Sequence, residues 1–66
     1  MSDPMQGREI IFEFHAIGPY VKVSAMDTRS LTEVSIQGPA NVGEAILKRN
    51  AKKRLEYVLR KKGLIS

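Results

Sequence analysis

The single histidine of this 66-residue chain, His15, stands two positions from Glu13. That spacing puts both side chains on one face of a β-strand. A carboxylate beside an imidazole could pass a proton. So small a domain has little room to enclose a substrate cleft around them, so the pair is expected as solvated strand residues, with His15 opposite Lys22. There is no cysteine, and one histidine without converging carboxylates cannot build a three- or four-ligand zinc site. The serines are scattered over turns and strand faces, and nothing supplies an activated nucleophile with an oxyanion hole. No catalytic, metal-binding or cofactor-binding residue is assigned, and enzymatic activity is not expected.

Two further groupings bear on binding. Gly38-Pro39-Ala40-Asn41-Val42-Gly43-Glu44 is a strand-to-helix junction, where free helix N–H groups can hold an anion. It lacks both the Gly-Lys-Ser/Thr ending of a P-loop and the dinucleotide fingerprint. Asn41 as N-cap, with Glu44 three residues on, is expected to satisfy those N–H groups internally. The second grouping is basic. Residues 41–66 carry eight Lys and Arg against two Glu, a net of +6, whereas residues 1–40 carry a net of −2. On a helix advancing about 100° per residue, Arg49, Lys53 and Arg60 lie together opposite the apolar stripe, with Tyr57 beside them. Basic side chains interleaved with a tyrosine suit a phosphate backbone or single-stranded nucleic acid. They equally suit an acidic protein surface. The acidic first half opposes a phosphate-rich partner, so an acidic protein is expected ahead of nucleic acid.

The elements that must carry these residues follow from hydrophobic period. At 7.4 kDa the chain forms one domain, and a domain of this size buries only about 60% of the surface its unfolded form exposes, which leaves a thin core. Residues 1–7 show no apolar period and are expected as a loose tail, with a single domain over 8–66. From Arg8 the period is two: Ile10, Phe12, Phe14 and Ala16 share one face, and Ile11, Glu13, His15 and Ile17 the other. Gly18-Pro19 breaks the run as a two-residue turn, and alternation resumes from Tyr20. Pairing Ile17 with Tyr20 places Phe14 opposite Val23 and Phe12 opposite Ala25, which puts both apolar sets on one face. Asp27-Thr28-Arg29-Ser30 is a polar turn cluster. A third strand follows with Val34 and Ile36 inward.

From Asn41 the period becomes 3.6, and Leu47, Ala51, Leu55, Val58 and Leu59 form one stripe of a helix over 42–62 that Gly63 ends. The expected fold is α+β: a three-stranded antiparallel β-meander with one C-terminal α-helix packed on one face, β-β-β-α. Phe12, Phe14, Val23, Ile36, Leu55 and Val58 are expected as the most buried side chains. The outward sheet face then carries Ile11, Ile17, Tyr20 and Met26 with nothing left in the chain to cover them, which makes it a candidate interface.

The run from Gly18 to Gly63 carries a G-x-Y-V-K-V-S-A-x-D strand and turn, an E-V-S-I-x-G-P strand end and a basic amphipathic last helix. In these features it resembles a family of small uncharacterised alphaproteobacterial proteins classed as a domain of unknown function. The resemblance implies the same fold over nearly the whole chain, and an association with phage-like gene clusters encoding head and packaging proteins. It implies no activity, cofactor or catalytic residue. No apolar run approaches the roughly 20 residues of a membrane span. The N-terminal MSDPMQG has no apolar stretch of the signal-peptide type. The absence of cysteine fits a reducing compartment. The sequence therefore reads as a cytoplasmic, non-enzymatic interaction or assembly module. It is expected to self-associate, with a dimer favoured and nucleic-acid binding through the helix as the alternative.

Overall fold

The computed structural model describes residues 4–66. Three antiparallel strands, β1 (Ile10–Ile17), β2 (Tyr20–Asp27) and β3 (Thr32–Pro39), form one sheet in the order β1-β2-β3. A 3₁₀ turn (Ala40–Val42) leads into the helix α1 (Glu44–Lys61), which packs on one face of that sheet. The register is the one the alternation requires: Phe14 opposes Val23, Phe12 opposes Ala25, and Ile17 and Tyr20 flank the Gly18-Pro19 turn. One face of β2 therefore supplies the centre of the core. Val23 and Ala25 are fully buried against Leu47, Ala51, Leu55 and Leu59 of α1. Those four helix positions recur every four residues, so they stay on one side of the helix.

The helix runs uninterrupted because residues 44–62 contain no glycine or proline and are rich in Ala, Leu, Lys and Arg, all good helix formers. It stops in a Schellman arrangement. Gly63 takes φ +76, and its N–H donates to the Arg60 carbonyl (3.0 Å) while the Leu64 N–H donates to the Leu59 carbonyl (2.9 Å). A side chain would be strained at that φ, so glycine is the residue that lets the chain double back. The start of the helix departs from expectation. Asn41 lies inside the 3₁₀ turn and is not the N-cap; Gly43 holds that position, with no side-chain cap. An N-cap needs extended backbone, which the 3₁₀ turn denies Asn41. Glu44 is left in the first turn, where its charge favours the helix dipole.

The core also departs from expectation, for a reason that shapes the rest of the molecule. The helix lies over β2 and β3. Val23 and Leu55 are fully buried as expected, but Phe12, Ile36 and Val58 are half-buried and Phe14 is 36% exposed. Met5, placed by its sequence in a loose tail, is only 3% exposed and belongs to the core. Residues 1–3 of that expected tail lie outside the described residues. Where the helix does meet the sheet it comes very close. A Cβ on Gly38 of β3 would sit 2.5 Å from Leu47 Cδ2. Gly38→Ala should therefore lower stability by about 1–3 kcal/mol, the usual range for overpacking. In a thermal melt, adding Leu47→Ala should recover part of the Gly38→Ala loss; strictly additive losses would show that the two residues do not touch.

Candidate functional site

The residues singled out on the sheet are positioned by β1 and β2. His15 pairs with Lys22 and Glu13 with Ser24, all on the outward face. Among the described residues no three histidine, aspartate or glutamate side chains converge as metal ligands would. The four apolar candidates of the outward face do not form one cluster. Ile11 opposes Met26 at one end of the hairpin and Ile17 opposes Tyr20 at the other. Six residue steps along the strand separate the two pairs, about 20 Å at 3.4 Å per residue. Ile11, Ile17 and Tyr20 are 44–50% exposed, and Met26, on the central strand, is half-buried. Between them the face is polar, with Glu13, His15, Lys22 and Ser24. The period of two that keeps these residues on one face says nothing about how far apart along it they lie.

The helix candidates also separate. Lys53 and Tyr57 point away from the sheet, and Tyr57 is half exposed. Two cations sit over its ring, the Arg54 guanidinium at 5.5 Å and the Lys61 ammonium at 5.7 Å from the centroid. Arg60 turns to the C-terminus, its Nε donating to the Ser66 carbonyl at 3.2 Å. Arg49 leaves the group and lines a cleft on the β1 side of the helix.

That cleft was not legible in the sequence. It exists because the helix covers β2 and β3 and stops short of β1. Its floor is apolar, formed by Met5, Ile10 and Phe12, and its helical wall carries Ala45, Lys48, Arg49 and Lys52 around a volume of about 390 Å³. The Lys48 ammonium lies 4.9 Å from the Phe12 ring centroid, a cation–π distance that lets its stem shield part of the ring. Beyond Phe12, the inward face of β1 is open at Phe14. The sheet order leaves one edge of β1 without a neighbouring strand among the described residues.

At the far end of the hairpin is a second grouping whose single sequence signal was the polar turn. Asp27, fully buried at the end of β2, accepts from the Arg8 guanidinium (2.6 Å), the Ser30 hydroxyl (2.6 Å) and the Ser30 N–H (3.1 Å), all through Oδ2. Arg8 also donates to the Leu64 carbonyl at 2.9 Å, joining the chain before β1 to the chain after α1. Burial pushes the Asp27 carboxyl up. The Ser30 hydroxyl and N–H, the Arg8 charge and the Arg29 N–H together outweigh that and hold it below its ordinary value. The pair closes the end of the core, and Arg8 also lines the cleft beside Phe12.

No helix in the described residues is long and apolar enough to cross a membrane. No curated protein and no solved structure matches the chain. A family described as a domain of unknown function (DUF6898) matches residues 7–62. That match runs from the residue before Arg8 to the end of α1, so the chain belongs to the family of this domain of unknown function.

Proposed function

We propose that this protein is a non-enzymatic interaction module that associates with itself through the edge of β1. The observation that carries the reading is the half-covered strand. β1 offers eight residues of edge, with Phe14 exposed on the helix side and Ile11 and Ile17 exposed on the other. An unpaired strand of that length with apolar side chains on both faces is a template for a further strand. The other edge, β3, is a poorer one. Its outward residues Glu33, Ser35 and Gln37 are polar and it ends in Gly38-Pro39, a residue pair that weakens and blocks pairing. Size supports the same reading, because a 66-residue chain with a thin core gains most from extending its sheet. The lack of cysteine suits work in the cytoplasm.

Sedimentation velocity on the full chain across a range of concentrations tests this. The expected result is a shift from the 7.4 kDa monomer to a species of twice that mass as concentration rises. A monomer at every concentration would remove the reading. The second reading, nucleic-acid binding, rests on the cations Arg54 and Lys61 around exposed Tyr57 with Lys53 nearby. It is weaker, because a base stacking on that ring has to displace a cation already over it. Only that reading requires affinity for generic DNA or RNA that falls steeply with salt.

A further inference from the structure

We infer that two copies of the chain pair β1 with β1 in one particular register, with Phe14 opposite the partner's Phe14, to give a continuous six-stranded antiparallel sheet. This rests on the self-association proposed above and specifies how it occurs. Two identical antiparallel strands meet about a two-fold axis normal to the sheet. That axis keeps both helices on the same face, so only residues of like face oppose one another. Odd-numbered residues of β1 face outward and even-numbered ones face the helix, so each register is centred on a single residue. Within Ile10–Ile17 the longest overlaps are centred on 13 or 14. Those centred on 12 or 15 are shorter, and centring on Phe12 sets Ile11 against the partner's Glu13 carboxylate.

Centred on Glu13, the register sets two Glu13 carboxylates directly against each other and puts Ile11 opposite the partner's His15. Centred on His15, it sets two histidines together, puts Glu13 opposite the partner's Ile17, and shortens the overlap. Centred on Phe14, every opposed pair is complementary. Glu13 faces the partner's His15, Ile11 faces the partner's Ile17, and the large Phe12 faces the small partner's Ala16. Like charges directly opposed, as two Glu13 carboxylates would be, destabilise a sheet, whereas apolar pairs and hydrogen-bonding polar pairs such as Glu with His suit it.

The same register resolves the divided outward face. Ile11 already sits beside Met26, and Ile17 beside Tyr20, in each chain. Bringing Ile11 against the partner's Ile17 joins the two distant pairs into one apolar row across both sheets, and the two-fold axis makes that row twice. On the helix side the two exposed Phe14 rings meet at the axis, in the space that each helix leaves open over β1. Exposed apolar groups that are 20 Å apart in one chain thus become contiguous only in the pair.

The chain has no cysteine, so single-cysteine variants report the register directly. Directly opposed residues have Cα atoms about 4.5–5.5 Å apart, within the span of a disulfide, whereas diagonal neighbours lie about 7–8 Å apart. Under mild oxidation Phe14→Cys should give a disulfide-linked dimer. Glu13→Cys and His15→Cys should each stay largely free of disulfide-linked dimer alone and cross-link when mixed with each other. Leu31→Cys, at the most exposed leucine on the opposite side of the hairpin, sets the rate of random collision. Preferential self-linking of Glu13→Cys or His15→Cys would overturn this register in favour of the one centred on that residue. No linking above the Leu31→Cys rate, in a protein that sediments as a dimer, would place the interface away from β1. A protein that sediments as a monomer would instead overturn self-association itself. A second arm does not touch Phe14. Glu13→Lys should weaken the dimer at least tenfold, and the exchange Glu13→His with His15→Glu should restore it, because only the Phe14-centred register opposes those two positions.

Discussion

Replacing Asp27 by asparagine should cost about 3–5 kcal/mol, the range for breaking a buried ion pair by removing one partner. The reason is that Arg8 cannot leave. Its side chain is 9% exposed, held 2.6 Å from the carboxylate and anchored at its other nitrogen to the Leu64 carbonyl. Without Asp27 a guanidinium is left buried with no counter-charge. A 66-residue domain has a total stability of roughly 3–10 kcal/mol at 0.05–0.15 kcal/mol per residue, so the variant should be mostly unfolded at room temperature or close to it. Ser30→Ala removes one neutral donor and should cost only about 1–2 kcal/mol. The same site predicts a pH dependence. Because the folded-state value of Asp27 lies below the ordinary 3.8, its contribution is fully present above about pH 4. It is lost as pH falls through the folded-state value, since the unfolded chain then binds the proton more readily. Urea denaturation of the wild type between pH 2 and pH 6 should show that loss, and Ser30→Ala should move its midpoint upward. A wild-type stability that does not fall below pH 4 would show that the carboxylate is not held by its partners.

Leu55→Ala should cost about 3–5 kcal/mol, whereas Phe14→Ala, although it removes a larger side chain, should cost no more than about 1–2 kcal/mol in the monomer. Leu55 is fully buried between the helix and β2, so truncation leaves a cavity that neighbours on two rigid elements cannot fill. Phe14 is 36% exposed and is not part of the packed core, so its truncation removes contacts without enclosing a void. The comparison is best made by thermal and urea denaturation at concentrations too low for pairing. At higher concentration the Phe14→Ala loss should grow, because the ring then sits at the proposed two-fold axis. Equal losses for the two variants in the monomer would mean that the helix covers β1 after all.

Much of this architecture was readable from spacing. The alternation on either side of Gly18-Pro19, closed by a two-residue turn between Ile17 and Tyr20, puts Phe12, Phe14, Val23 and Ala25 on a common face in the register that is found. The change of period after the second glycine-proline junction, Gly38-Pro39, gave the helix, and Gly63 gave its end. These are local matters: strand period, turn residues and helix stripe are set by neighbours a few positions away. Asn41 was misread by the same local logic. Its type fits an N-cap, but the 3₁₀ turn moves the helix start to Gly43.

What period could not decide was where the helix lies across the sheet. A stripe on the helix and an apolar face on the sheet are satisfied by any lateral placement. The close approach of Leu47 to Gly38 draws the helix towards β3, and that single offset exposes Phe14, opens the cleft beside Phe12 and brings Arg49 to its wall. Met5 and the Arg8–Asp27 pair were hidden for a related reason. Each is one residue far along the chain from its partners, with no repeat to announce it, and only the folded chain brings them together. The sequence by itself determined the elements, their order and the faces they bury. The tertiary structure decided how much of β1 is left uncovered, because packing distance between helix and sheet is a property of both surfaces together.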